Sequence, residues 1–148
     1  MPSTDGKRRA ENSPCVTYQP SSVYKPYDTK LLAPDKSEHI RILNDAFRTQ
    51  PLSVLSAVLR QTFVITKGVA AHGDDFLLRA LKAVQEFSTF TEEKDPHGEH
   101  DFGSFELDGV ELFWKIDYYD EDLECGSPDP ADQDVTRRIL TILLAEEY

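Results

Sequence analysis

The sequence predicts an α+β domain. An antiparallel sheet of at least three strands, centred on a β-hairpin over 100–118, carries about three helices packed on one face. Three observations support this. Asp108-Gly109 lies between two runs of alternating apolar residues, and an Asp-Gly pair in that setting favours the type I′ turn of a hairpin. Ile40, Leu43 and Phe47 recur at helical spacing, as do Phe76, Leu77, Ala80, Leu81, Val84 and Phe87, so two amphipathic helices are expected. Thr62-Phe63-Val64-Ile65-Thr66 is rich in β-branched and aromatic residues, the composition of a strand.

Residues 1–36 contain Pro2, Pro14, Pro20, Pro26 and Pro34 with many Ser and Thr and no apolar periodicity. A disordered or loosely docked tail is expected there, leaving 37–148 as a single domain. Lys7-Arg8-Arg9 is too short for a nucleic-acid patch. Tyr18, Tyr24 and Tyr27 read as incidental tail aromatics more readily than as docking groups. Ser37 opens the first helix with Glu38 in its first turn, and Arg48-Thr49-Gln50-Pro51 ends it. Leu52–Leu59 is ambiguous and fits a short helical turn. The strand follows, closed by Gly68. Asp74 or Asp75 caps the second helix.

Asp95-Pro96-His97-Gly98 fits a type I turn: Asp caps it, Pro presets φ and Gly relieves the exit. Strands are expected at 100–107 and 110–118. The two-residue loop fixes their register, pairing Leu107 with Val110, Phe105 with Leu112, Gly103 with Trp114 and Asp101 with Ile116. That face is the core face, and Gly103 leaves room for the Trp114 indole. The other face pairs Glu106 with Glu111, Ser104 with Phe113, Phe102 with Lys115 and His100 with Asp117. Asp101 falls on the apolar side, so the pairing stops before it, a bulge turns it out, or it is a paired polar group at the core edge; an unpaired buried carboxylate is costly. Asp120 to Pro130 is an acidic loop, since two prolines and Gly126-Ser127 forbid regular structure. Asp132 then caps a last helix with Ile139, Ile142 and Leu143 on its buried stripe. The β-branched content of 135–145 leaves a strand open as the alternative.

The net charge is −11, from 16 Lys and Arg against 27 Asp and Glu. It is unevenly spread: residues 1–36 carry +2, residues 37–94 carry 0 and residues 95–148 carry −13. Phosphate contacts need Lys and Arg, so direct nucleic-acid binding through the second half is not expected. A basic protein surface or a metal ion would suit it, and so would simple solubility. No apolar run is long enough to span a membrane, and no secretory leader is expected. Cys15 and Cys125 lie in unlike contexts, so free thiols in a reducing cytoplasm are expected.

His97, Glu99, His100 and Asp101 fall within five residues, and the hairpin would bring Asp117 across to His100. His and carboxylate ligands suit Zn²⁺, Mn²⁺ or Fe²⁺. His97, His100 and Asp101 are therefore the candidate metal ligands, and His100, Asp117 and Glu99 the candidate catalytic groups. No cofactor is expected otherwise. The competing reading is structural: Asp95 caps a turn, His100 pairs with Asp117, and Glu99 and Asp101 bond backbone amides. Cys125 is a poor nucleophile beside Glu121, Asp122 and Glu124, which disfavour a thiolate.

The run Asp95-Pro96-His97-Gly98-Glu99-His100-Asp101-Phe102-Gly103, the run Trp114-Lys115-Ile116-Asp117-Tyr118-Tyr119-Asp120, and the stretch from Ser127-Pro128-Asp129-Pro130 through Thr136-Arg137-Arg138-Ile139-Leu140-Thr141-Ile142-Leu143-Leu144-Ala145 to Glu147-Tyr148 together resemble a small bacterial family with no assigned function. The resemblance covers about residues 37–148. Its members often sit on plasmids and other mobile elements, and the family brings no established catalytic residues.

Two functional classes follow. The first is a small acidic, non-enzymatic binding protein. It would occupy a basic nucleic-acid-binding surface through Phe113, Tyr118, Tyr119, Asp120, Glu121, Asp122 and Glu124, as an anti-restriction or anti-CRISPR protein imitating DNA would. The second is a metal-dependent hydrolase or nuclease built on His97, His100, Asp101 and Asp117.

Overall fold

The computed structural model describes residues 35–51 and 61–148. Of the expected tail over 1–36, residues 1–34, with Cys15 and the tyrosines, lie outside the described residues, as does the turn over Leu52–Leu59, while Lys36 already belongs to α1. In chain order the elements are α1 (Lys36–Arg48), β1 (Gln61–Ile65), the one-turn α2 (Lys67–Ala70), α3 (Asp74–Glu86), β2 (Phe102–Leu107), β3 (Val110–Tyr119), β4 (Arg137–Leu144) and a 3₁₀ turn at Ala145–Glu147. The α+β class holds, with two corrections inside it.

The first concerns 135–145. It is strand β4, not a helix, and it lies inside the sheet, whose order is β1-β4-β3-β2. Arg138, Leu140, Ile142 and Leu144 are all buried, a period of two that only an extended chain produces. The β-branched Ile139, Thr141 and Ile142 suit that conformation. The Asp132 carboxylate accepts the Asp134 N–H at 2.9 Å, closing an Asx turn where a helix cap was expected. The second correction is that the sheet is mixed. β4 is antiparallel to β3 but parallel to β1. The connection from β1 to β4 runs through α2, α3 and the hairpin, which is long enough for the crossover a parallel pair requires.

The hairpin forms at the predicted corner. Asp108 and Gly109 have φ of 53° and 79°, the doubly positive pair of a type I′ turn. Six pairs follow the expected register, from Leu107 with Val110 to Phe102 with Lys115. Arg79 of α3 holds the corner with Nη1 and Nη2 on the two Asp108 oxygens at 2.9 and 2.7 Å. That bidentate contact keeps the Asp108 carboxyl below its ordinary range and raises the guanidinium.

The core fills one face of the sheet. Phe47 of α1, Val69 of α2 and Phe76, Ala80 and Val84 of α3 pack on Leu112, Trp114, Ile116, Leu140 and Ile142. Trp114 is fully buried and stands over Gly103, where a Cβ would fall inside its indole. α1 begins one residue before Ser37, with Asp35 accepting the Ser37 N–H. At α3 the cap position is Gly73, and Asp74 and Asp75 occupy the first turn, where carboxylates favour the helix dipole.

The chain end is latched. Glu147 accepts the Thr66 hydroxyl at 2.6 Å, the Gly68 N–H at 3.1 Å and the Leu144 N–H at 2.8 Å. These bonds hold its carboxyl below the ordinary range, the Thr66 hydroxyl first. Cys125 is disulfide-bonded, so the free thiol expected there is corrected. Among the described residues no helix is long and apolar enough to cross a membrane.

Candidate functional site

The polar residues that sequence spacing singles out gather at one end of the sheet, but around partners on α1. Asp95 opens a short turn in which the Gly98 N–H bonds the Asp95 carbonyl at 3.0 Å. Its buried carboxylate then accepts the Glu99 and His100 N–H groups at 3.0 Å each. Asp95 thus shapes the loop as expected of a capping residue. His100 has φ of 54°, a left-handed conformation that few non-glycine residues hold. Beyond it Asp101 makes one backbone bond, its carbonyl accepting Ile116 N–H at 2.8 Å, and the ladder proper starts at Phe102. Asp101 itself is buried.

The left-handed residue redirects the imidazole. His100 Nδ1 lies 2.9 and 3.1 Å from the two carboxylate oxygens of Asp45 on α1. Its ring stacks on Phe90 with centroids 3.6 Å apart and planes 3° from parallel. The expected pairing of His100 with Asp117 is therefore corrected. Asp117 sits on the opposite face of β3 from Ile116 and Tyr118, and pairs with Lys115 at 2.8 Å. His97 is exposed on the turn. The metal-ligand set of His97, His100 and Asp101, with or without Asp117, is not assembled, and among the described residues no group of three His, Cys, Asp or Glu side chains is placed to hold a metal ion.

Asp45 is itself braced. Arg48 Nη2 donates to its Oδ1 at 2.9 Å. Arg48 is buried and its Nη1 donates to the Val84 and Phe87 carbonyls at 2.6 and 3.0 Å, ending α3 with a cation where the helix dipole is negative. The same guanidinium lies over the Phe90 and Trp114 rings at 5.5 and 5.3 Å.

One residue earlier on α1, Asn44 is fully buried. Its Nδ2 donates to the Glu99 carbonyl at 2.9 Å and to Tyr118 Oη at 2.7 Å, and its Oδ1 accepts from Arg138 Nε at 2.9 Å. Tyr118 in turn donates to Glu99 Oε2 at 3.3 Å. Arg138 also donates to the Pro130 carbonyl at 2.6 Å. Burial, then the Glu99 charge, pushes the Tyr118 phenol well above its ordinary range, so it stays protonated and donates. Burial lowers the Arg138 guanidinium, opposed by Tyr118 and Glu99. Glu99 is thus part of a buried network that joins α1, the 95–100 loop, β3 and β4.

Of the residues expected to bind a partner, Tyr118 is the clear correction: it faces the core side and its hydroxyl lies in this network. Phe113 is half-buried on the far face against Phe102 and Tyr148, at 5.3 and 5.5 Å between ring centroids. Tyr119 is half-buried and pairs with Gly126. Asp120 is half-buried, while Glu121, Asp122 and Glu124 are exposed.

Sequence spacing gave no notice of Asp45, Arg48, Arg138 or Phe90. Asn44 left one trace. It lies four residues after Ile40 and three before Phe47, a polar residue on an apolar stripe.

Fold and site together define a two-layer α+β protein whose helical layer is tied to a mixed four-stranded sheet by a buried polar network at one end. The chain belongs to the DUF3768 family, proteins of unknown function, which it matches over residues 65–147. The matched stretch includes His100, Glu99, Tyr118 and Arg138, while Asn44, Asp45 and Arg48 precede it. No curated protein and no solved structure matches the chain.

Proposed function

We propose that this chain is a small acidic binding protein that seats on a basic protein surface, in the manner of an anti-restriction or anti-CRISPR inhibitor carried by a mobile element. One observation supports this reading above others: the shape of the loop after β3. The Asp120 N–H bonds the Cys125 carbonyl at 2.9 Å and the Leu123 N–H bonds the Asp120 carbonyl at 3.2 Å. The Asp120 carboxylate accepts the Glu124 N–H at 3.1 Å. A loop closed this way presents the exposed Glu121, Asp122 and Glu124 in a fixed arrangement, with little ordering left to do on association. The −13 charge of residues 95–148 adds long-range attraction for a cationic partner and repels nucleic acid itself. A nucleic-acid-binding cleft on another protein is the surface that such charge fits.

The cytoplasm is part of the same proposal. The disulfide at Cys125 removes the free-thiol argument for that compartment, which stands on the nucleic-acid-binding character of the proposed partner. The test is retention of a nucleic-acid-binding complex from a bacterial lysate on the immobilised chain, with release at high salt. Exposed electrostatic contacts are screened there. The triple variant Glu121→Lys, Asp122→Lys, Glu124→Lys is expected to retain nothing while keeping the wild-type melting temperature. Equal retention by that variant would refute the reading.

A further inference from the structure

We propose that His100 is a general base for hydrolysis of small uncharged or cationic carboxylic esters, and that Asp45 is its positioning residue. This is a capability separate from the acidic loop, which lies elsewhere on the chain. A carboxylate has no proton to give, so the contacts of 2.9 and 3.1 Å require the neutral ring to carry its proton on Nδ1. Nε2 then holds the free lone pair. Among the described residues no hydrogen bond uses Nε2, and the side chain is 23% exposed.

Two contacts on the ring and two behind them hold it in that state. Asp45 fixes the tautomer. Arg48, anchored on the end of α3, fixes Asp45. Phe90 stacks on one ring face at 3.6 Å. The Asp95 carboxylate takes the His100 N–H and so supports a left-handed backbone at a residue with a Cβ. Left-handed non-glycine residues persist where their surroundings over-determine them, and they cluster at functional sites. A base whose second nitrogen is held by a carboxylate, itself held by a third group, is the arrangement that activates water or a hydroxyl.

The reaction needs no cofactor. Nε2 removes a proton from water as the water oxygen bonds the ester carbonyl carbon. The bond from that carbon to the alkoxy oxygen then breaks, and the imidazolium returns the proton to the departing alcohol. Ester and water give acid and alcohol. Substrate charge follows from the neighbourhood: the Asp45 carboxylate lies against the imidazole, the Asp95 carboxylate takes the His100 backbone N–H, and the half-chain that carries the imidazole is at −13. A phosphodiester would be repelled.

Two measurements on the full chain test this. In the first, diethyl pyrocarbonate is added and the modified histidine is located by mass spectrometry. His100 is expected to react faster than the exposed His97 and His39, although it is less accessible, and Asp45→Asn is expected to remove that advantage while Asp45→Glu retains part of it. In the second, 4-nitrophenyl acetate is the probe. The wild-type chain is expected to exceed an equal concentration of free imidazole, with a loss of about tenfold in His100→Gln. Two-bond nitrogen–proton NMR reads the tautomer without any substrate and stands even if a variant folds poorly. A neutral ring protonated on Nε2, a His100 no more reactive than His97, or esterase activity no greater than free imidazole would each overturn the proposal.

Discussion

His100 bonds Asp45, a residue 55 positions earlier in the chain, with Nδ1 2.9 Å from the nearer carboxylate oxygen. Asp117, which alternation along the hairpin points towards His100, faces the far side of the sheet and holds Lys115. One left-handed residue at the end of the ladder makes the difference, because it swings the imidazole out of the strand and onto α1.

That contact predicts an energetic coupling. In a double-mutant cycle on urea unfolding, His100→Gln and Asp45→Ala are expected to couple by about 0.5–1 kcal/mol, the range for partly exposed ionisable pairs. The cycle cancels the separate loss of the Arg48 bond, which Asp45→Ala also causes. His100→Gln with Asp117→Ala is expected to be additive. Coupling in the second cycle and none in the first would contradict the geometry.

The Asn44 network sets a larger value. Asn44→Leu keeps the volume but leaves the Arg138 Nε without its acceptor and takes one donor each from the Tyr118 hydroxyl and the Glu99 carbonyl, all of which use the Asn44 amide. Leaving a buried charged donor unsatisfied and weakening two more bonds is expected to cost about 2–4 kcal/mol. Tyr118→Phe removes one hydroxyl and leaves the Asn44 bonds to Glu99 and Arg138 in place, so about 1 kcal/mol is expected. Chemical denaturation of the two variants orders them, and a Tyr118→Phe loss as large as that of Asn44→Leu would place the hydroxyl, not the amide, at the centre.

These two sites mark what sequence could and could not reveal. The hairpin was legible because its information is local: Asp108-Gly109 selects the turn, and a two-residue turn fixes every pair from Leu107–Val110 outward. β4 was legible as a buried apolar segment but not as a strand, since Ile139, Ile142 and Leu143 satisfy a helical stripe as well as an extended face. Its place between β1 and β3 decides the matter, and that is tertiary. The site was half legible. Glu99, His100 and Asp101 stand out by type and spacing, whereas their partners are ordinary helical residues whose relevance depends on α1 docking over the 95–100 loop. The Asp117 pairing has the same root: period-two alternation holds only as far as Phe102, and His100 lies two residues beyond it.

At Gly103 the chain has no side chain because Trp114 occupies the space. A Cβ there would meet the indole and also reach within 2.9 Å of Phe87, and neither ring can yield inside a filled core. Gly103→Ala is expected to cost about 3 kcal/mol by overpacking. The near-ultraviolet signal of the only tryptophan should change with it. In a Trp114→Phe background the added cost of Gly103→Ala should fall, since the overlapping indole is gone. An unchanged cost would put the clash with Phe87 instead.

The Glu147 latch carries a pH signature. Its carboxyl is held below the ordinary range by the Thr66 hydroxyl and by the Leu144 and Gly68 N–H groups. A carboxyl whose folded pKa lies below its unfolded value stabilises the fold fully above the unfolded value, about 4.3 for Glu. The contribution declines below that value and is lost as pH falls through the folded pKa. Wild type is therefore expected to be more stable than Glu147→Gln by a constant margin at neutral pH, and the margin should shrink steadily under acid conditions. Thr66→Val should remove the largest part of the acid dependence, since it deletes the donor that lowers the carboxyl most. Gly68→Ala should act through the same latch, because a Cβ at 68 falls on the Glu147 carboxylate and on Leu144 Cδ1. Urea midpoints of the four chains across neutral to acid pH give the comparison. A margin between wild type and Glu147→Gln that stays flat into acid would mean that the ionised carboxylate is not what closes the chain end.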